Sequence, residues 1–306
     1  MNGNQIKAHM PQKLRQCMSD VKYEILKQII VKNDRNADSQ SLSELKPISD
    51  VCSNWCDNIH VIRHAGGEID GRSYLNCLEA FRNSAEMGCK ALEVDFQITT
   101  DDHVVLLHDM KSAFNIEQDE RVKLADTETM FMNRKIAGKY TPMNIESLVE
   151  FMKEYPDIYI ITDCKQQSMS EVLSQIVATV KRESEKEQEH ILSHMVIQLY
   201  HYEDCDIVQQ IYQFPNMIFT LYDSGLYIWN AERIVKHCIR NKIGVVTMPY
   251  GFIRNKHVLD LFNRFNIRVF VHTINVSDNT DIYCKAGVWG IYSDNMTEWN
   301  ASKKDI

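Results

Sequence analysis

The chain has 306 residues, 44% of them hydrophobic, enough apolar material for one large core or two modest ones. A net charge of -8 and a pI near 5.8 argue against a general nucleic-acid binder, and no apolar run approaches the roughly 18–20 residues of a membrane span. The nine cysteines form no Cys-x-x-Cys pair, and Cys52 and Cys56 have no second ligand pair at zinc-finger spacing, so they read as reduced thiols of a cytoplasmic protein without a leader peptide.

Residues 1–31 carry an apolar stripe, Leu14, Cys17, Met18, Val21, Ile25 and Ile29, at helical spacing. The spacing predicts a helix that covers part of the surface of the larger domain. Residues 33–50 are polar and run into Lys46-Pro47, the composition of a linker. No chemistry is visible before residue 58. This divides the chain into a helical N-terminal extension with its linker, 1–57, and a domain over 58–306.

From residue 58 the chain alternates. The runs IHVIR, KALEVD, IYIITD, MVIQLY, MIFTLY, IGVVTM, RVFVHT and WGIYSD read as eight strands. Helical patterns separate them. Asn76–Met87 has Leu78, Phe81 and Ala85 on one face and stops at Gly88; others lie over 170–185, after Asp204 as a cap, over 231–238 and 258–265, and after Ser277. Eight strands alternating with helices predict a (β/α)8 TIM barrel of the α/β class, and 58–300 fits its usual size of about 250 residues. A doubly wound open sheet is the alternative. VVLLHD is a ninth run, separated from the second strand only by a short turn. A parallel crossover needs a dozen or more residues, so this run must return antiparallel as a hairpin. Residues 110–141 then form a long excursion expected to cover part of the barrel mouth.

The chemistry concentrates between His60 and Asp109. IHVIR delivers His64 into the turn Ala65-Gly66-Gly67. Glu93 and Asp95 lie two apart on one strand and so share a face; side by side, two carboxylates need a cation between them. VVLLHD ends in His108. Two histidines and a carboxylate pair at strand ends make a candidate metal-assisted acid–base site. Lys165 shares a face with Asp163. His272 and Tyr200 each end a strand and could touch substrate. His60 and His103 read as structural and solvated. Tyr222, Trp289 and Trp299 read as packing, and Lys181–Glu189 as an exposed helix end.

In chain order, His64-Ala65-Gly66, Asn76-Cys77-Leu78-Glu79-Ala80-Phe81, Glu93-Val94-Asp95, His108-Asp109, Thr141-Pro142-Met143-Asn144-Ile145-Glu146, Thr162-Asp163-Cys164-Lys165, and the strands His272–Asn275 and Gly290–Asp294 resemble the glycerophosphodiester phosphodiesterase family, a branch of the phosphatidylinositol-phospholipase-C-like barrels. Ala65 stands where the family usually has Arg, and Asp163 where many members have Glu. The resemblance implies that Glu93, Asp95 and Asp163 hold Mg²⁺ or Ca²⁺, that His64 and His108 form the acid–base pair, and that Lys165 faces the phosphate. The substrate would be a small phosphodiester, hydrolysed to glycerol phosphate and an alcohol. A lyase that stops at a cyclic phosphate on a lipid or glycan diester, or a non-catalytic binding barrel, are the competing readings.

Overall fold

The computed structural model describes residues 41–117, 124–164, 169–221, 230–275 and 280–299. The stripe of residues 1–31, Lys165, Tyr222 and Ser277 lie outside them.

Eight parallel strands close into a ring: β1 (Val61–Arg63), β2 (Ala91–Ile98), β5 (Tyr159–Asp163), β6 (Met195–Leu199), β7 (Asn216–Thr220), β8 (Val245–Pro249), β9 (Arg268–His272) and β10 (Gly290–Ser293), with β1 bonded to both β2 and β10. Each of the eight expected runs overlaps one of these strands, although β2, β7 and β8 extend one to three residues beyond their runs. Closure decides against the open sheet. VVLLHD supplies β3 (Val104–Leu106), antiparallel to β2, and a two-residue β4 (Met143–Asn144) pairs with β3 outside the ring.

The inward residues change character from floor to mouth. Ile62, Ala91, Ile161, Val196, Ile218, Val245 and Phe270 belong to one buried apolar cluster at the floor. Two positions later come Glu93, Asp163, Gln198, Thr220, Thr247 and His272 in the same strands, and His64 directly after β1. Strand periodicity puts i and i+2 on one face, so an apolar floor carries a polar layer at the C-terminal end. The floor is completed from below by the short 3₁₀ turns Asp50–Cys52 and Asn54–Cys56, where Trp55 stacks on Phe270 with centroids 6.3 Å apart. Arg268 donates to the Ser53 carbonyl (2.8 Å) and lies over the Trp289 ring, 3.9 Å from its centroid. The end of the expected linker is therefore seated under the barrel.

Outside the ring, α1 (Leu78–Glu86) buries Ala80 and Phe81. After the hairpin come α2 (Met110–Phe114) and α3 (Glu128–Met132), whose apolar side chains join Leu75, Val105 and Leu107 in a separate small core. α4 (Ile145–Glu154), capped by Asn144 and Ser147, has no counterpart in the sequence reading. Next come α5 (Met169–Glu183), α6 (Gln188–Ser193) and α7 (Asp204–Ile211). Asp204 is not the cap of α7 but its first residue. Its carboxylate accepts the N–H groups of Tyr200 and His201 (2.7 and 2.8 Å), tying the strand end to the helix start. The remaining helices are α8 (Ala231–Asn241), α9 (Lys256–Arg264) and α10 (Thr280–Ala286). Among the described residues no helix is long and apolar enough to cross a membrane.

Candidate active site

β1 ends in a tight turn in which Ala65, Gly66 and Gly67 all have positive φ (48°, 77° and 95°). The turn aims the Ala65 N–H at Glu93 Oε2 (2.7 Å) and turns the His64 ring over the mouth. A Cβ on Gly66 would lie 2.4 Å from two carbons of the buried Phe81 ring. Gly66→Ala therefore combines left-handed strain with a clash, on the order of 2–4 kcal/mol. Gly71 also has positive φ (72°) but open space at its Cβ position, so Gly71→Ala carries the strain alone, about 1–2 kcal/mol. Urea unfolding of the two variants is expected to separate them in that order, with activity lost only in Gly66→Ala.

Three carboxylates meet under this turn. Register pairs Asp95 with Asp163 across β2 and β5, and Glu93 lies two residues back on the same face. One oxygen from each of Glu93, Asp95 and Asp163 lies within 4.8 Å of the others. All are buried, at 1%, 5% and 5% exposure. Each is steered by a neighbour. The Asn76 amide donates to Asp95 Oδ2 (2.9 Å) while its carbonyl oxygen accepts the Asp95 N–H (3.2 Å). The Tyr200 hydroxyl donates to Asp163 Oδ1 (2.5 Å) and accepts from the Gln198 amide (2.7 Å). Glu93 Oε1 has no hydrogen-bond partner although it is buried. Burial first, and then the Asp95 charge, push the Glu93 carboxyl above its ordinary range, with His64 pulling the other way. An orphaned buried oxygen in an all-oxygen donor set fits a hard divalent cation such as Mg²⁺ or Ca²⁺, and not zinc with its usual His and Cys ligands.

His64 stands beside this cluster, its Nε2 3.8 Å from Glu93 Oε2 and its Nδ1 2.9 Å from Asp294 Oδ1. Asn275 donates to the other Asp294 oxygen (2.6 Å) and accepts the Asp294 N–H (2.8 Å). Burial opposes a charge on His64, but Glu93, the Asp294 hydrogen bond and Asp95 outweigh it and push its pKa up to about 9. Burial also opposes the Asp294 charge, yet His64 and Asn275 hold that carboxyl below its ordinary range.

His108 follows the hairpin strand β3, with Nδ1 2.5 Å from Asp109 Oδ2. Asp109 caps α2, accepting the Ser112 N–H and hydroxyl (2.7 and 2.8 Å). Tyr74 packs edge-on against both imidazoles, with centroids 4.8 Å from each; the two histidine centroids are 6.4 Å apart.

A pocket of about 210 Å³ opens between these groups, lined by His64, Tyr74, Glu93, Asp163, Gln198, Thr247, His272, Thr273 and Tyr292. Of the residues marked from sequence, His64, Glu93 and Asp163 line it directly. Asp95 lies in the carboxylate cluster behind, and His108 is linked to the pocket through Tyr74. His272 lines the wall. Tyr200 is 3% exposed, outside the lining, with its hydroxyl on Asp163. His60 bonds the Trp289 carbonyl (2.9 Å), and His103 is half exposed beside Asp101 and Glu128. Sequence reasoning gave no role to Asp294, Asp109, Asn76 or Tyr74. The His108-Asp109 adjacency was a visible signal; the meeting of His64 with Asp294, 230 residues apart, was not.

The fold is shared with solved structures at low sequence identity. A glycerophosphodiester phosphodiesterase from Thermotoga maritima aligns with TM-score 0.56 and 19% identity over 78% of this chain and 95% of that one. One from Parabacteroides distasonis gives 0.58 and 14% over 78% and 93%. An Oleispira antarctica phosphodiesterase, solved in complex with the product sn-glycerol-3-phosphate, gives 0.57 and 13% over 78% and 94%. No curated protein sequence matches. The model of the glycerophosphoryl diester phosphodiesterase family matches residues 70–298, which takes in β2 through β10 and, of the site, everything except the His64 turn. With three-quarters of its length matched by that family, the chain belongs to the glycerophosphoryl diester phosphodiesterases.

Proposed function

We propose that the protein hydrolyses glycerophosphodiesters to glycerol phosphate and an alcohol, dependent on a divalent cation. The observation that carries this is the meeting of three buried carboxylates with His64 at the open end of the barrel, one oxygen of each within 4.8 Å of the others and Glu93 3.8 Å from the imidazole. Glu93, Asp95 and Asp163 are the holders of Mg²⁺ or Ca²⁺, which when bound neutralises the phosphate charge that repels a nucleophile. Asp294 occupies Nδ1 of His64 and leaves Nε2 to carry a proton to the departing alkoxide. Asp109 occupies Nδ1 of His108 in the same way and leaves Nε2 to accept the proton of the attacking hydroxyl. Each carboxylate fixes a tautomer and a ring orientation, which is what an acid–base pair of histidines requires. Lys165, two residues beyond Asp163, is assigned to the phosphate. His272, Gln198, Thr247 and Tyr292 offer the hydrogen-bonding wall for the glycerol hydroxyls. Eight free cysteines among the described residues support a reducing, cytoplasmic location.

Phosphorus NMR of reactions with glycerophosphocholine, glycerophosphoethanolamine and glycerophosphoinositol, each with Mg²⁺ and with Ca²⁺, checks the reading. Glycerol phosphate as the end product is expected. A cyclic phosphate that accumulates without opening would make the enzyme a lyase. No turnover of any diester with either cation would overturn the assignment.

A further inference from the structure

A second, larger concavity lies outside the catalytic pocket. It has a volume of about 690 Å³ and is lined by residues 111–115 of α2 and its end, residues 134, 135, 137 and 138 after α3, and Arg72. Four of the lining residues are cationic: Arg72, Lys111, Arg134 and Lys135. None is acidic among the described residues, in a chain whose net charge is -8. Such a concentration of one sign needs a reason, because like charges gathered in a concavity repel.

The four are held differently. Arg134 is fixed: it pairs with the buried Asp126 through two guanidinium nitrogens and sits over the Phe114 ring, 5.2 Å from its centroid. Lys111 pairs with Glu117 at 2.7 Å, but both side chains are more than 60% exposed, and such pairs contribute little and exchange readily. Arg72 and Lys135 are exposed and have no ion pair among the described residues. One anchored guanidinium, two exposed cations with no ion pair among the described residues, and Lys111 in an exposed, exchangeable pair form a receptor for a compact, multiply charged anion. The volume matches a small-molecule site.

The pocket is tied to the catalytic one by short links. Arg72 is two residues from Tyr74, which touches both histidines. Ser112, in the lining, donates to Asp109, which bonds His108. We propose that this concavity binds a phosphomonoester-type dianion beside the catalytic centre. The dianion comes either from a phosphate on the alcohol portion of the diester, or from free phosphate. Arginine and lysine are the groups that recognise such a charge, and its two negative charges distinguish it from the singly charged diester.

The test uses the full chain with its cation and the pair of variants Arg72→Gln and Lys135→Gln, singly and together. Both side chains are exposed and outside the catalytic pocket, so folding and turnover of glycerophosphoinositol are expected to be unchanged. Two probes are titrated by calorimetry: inorganic phosphate, and glycerophosphoinositol carrying one phosphomonoester on its ring. For whichever probe occupies the site, each substitution is expected to weaken binding by about tenfold, the effect of one charge-assisted hydrogen bond, and added salt weakens it further. If the diester is the source, kcat/KM for its phosphorylated form exceeds that for the plain form, and the double variant removes the advantage. If free phosphate is the source, only the phosphate titration responds. Binding of both probes unaltered in the double variant, or no binding of either to the wild type, overturns the proposal. Because the titrations do not depend on turnover, an inactive protein that still binds phosphate here would sink the diesterase reading and leave this one standing.

Discussion

Removing the divalent cation with a chelator, or replacing Asp95 with asparagine, is expected to lower diester hydrolysis about a thousandfold or more. Charge stabilisation by a bound cation supplies several kcal/mol of a transition state, and each 1.4 kcal/mol is about a factor of ten. Mg²⁺ or Ca²⁺ restores the chelated wild type and fails to restore Asp95→Asn. Stability gives an independent check of opposite sign. Three carboxylates with oxygens within 4.8 Å repel, by about 3–4 kcal/mol per fully charged pair at an effective dielectric of 20. Glu93→Gln removes part of that repulsion, so in chelator it should melt above the wild type although it is inactive. Cation at about a hundred times its Kd adds about 2.7 kcal/mol to the wild type and much less to the variant. The pH dependence follows in sign. Glu93 is raised above its ordinary 4.5 and His64 is raised from 6.5 to about 9. In both cases the folded state holds a proton that the unfolded chain has lost. The stabilisation is full below about pH 4.5 for Glu93 and below about 6.5 for His64, and it drains away as pH rises toward 9. Metal-free protein therefore melts progressively lower between pH 5 and 9, and saturating cation flattens the curve. A chelated enzyme that keeps full activity, or a Glu93→Gln variant that melts below wild type in chelator, removes the metal from this site.

Much of this was legible from local pattern. The floor and the polar layer are written as apolar-x-polar steps, Ala91-x-Glu93, Ile161-x-Asp163, Val245-x-Thr247, because a strand's period of two is a property of the backbone. The hairpin was forced by arithmetic, since the turn after β2 is too short for a crossover. What escaped was contact between distant segments. Nothing near Asp294 says that it will hold His64, because ring closure between β1 and β10 creates that meeting. Asn76 reads locally as the start of a helix, yet helix α1 begins at Leu78. The backbone of Asn76 takes φ 45°, and its amide is turned to Asp95. Here tertiary hydrogen bonding to a buried carboxylate overrode a local capping preference. Helix α4 did carry a local signal that went unused: Ile145, Leu148, Val149 and Met152 stand at helical spacing behind the Asn144 and Ser147 cap.

Replacing either histidine by alanine should lower kcat/KM by about 10²–10⁴, the usual worth of general acid–base assistance. The double variant should fall little below the worse single one, because the two serve one proton path. Their environments divide the roles. His64 lies among Glu93, Asp95 and Asp294 and holds its proton up to about pH 9. In the proposed mechanism it gives a proton to the leaving alkoxide, and His108, set by Asp109, takes one from the attacking hydroxyl. The pH profile of kcat/KM is then bell-shaped, with the alkaline limb belonging to His64. A cation on Glu93 and Asp95 cancels part of the negative charge that raises His64, so in the loaded enzyme that limb falls below pH 9 and moves with the cation used. Leaving-group chemistry separates the pair. A nitrophenyl diester departs as a stable anion and needs no proton, so His64→Ala should regain most of its loss on that substrate, while His108→Ala should not. Asp294→Asn should behave as a weaker His64→Ala, with its alkaline limb shifted down because the carboxylate that supports the imidazolium is gone. Equal rescue of both histidine variants by the nitrophenyl substrate would break the division of roles. Near-full activity of His108→Ala on an alkyl diester would reduce His108 to a structural residue of the hairpin end.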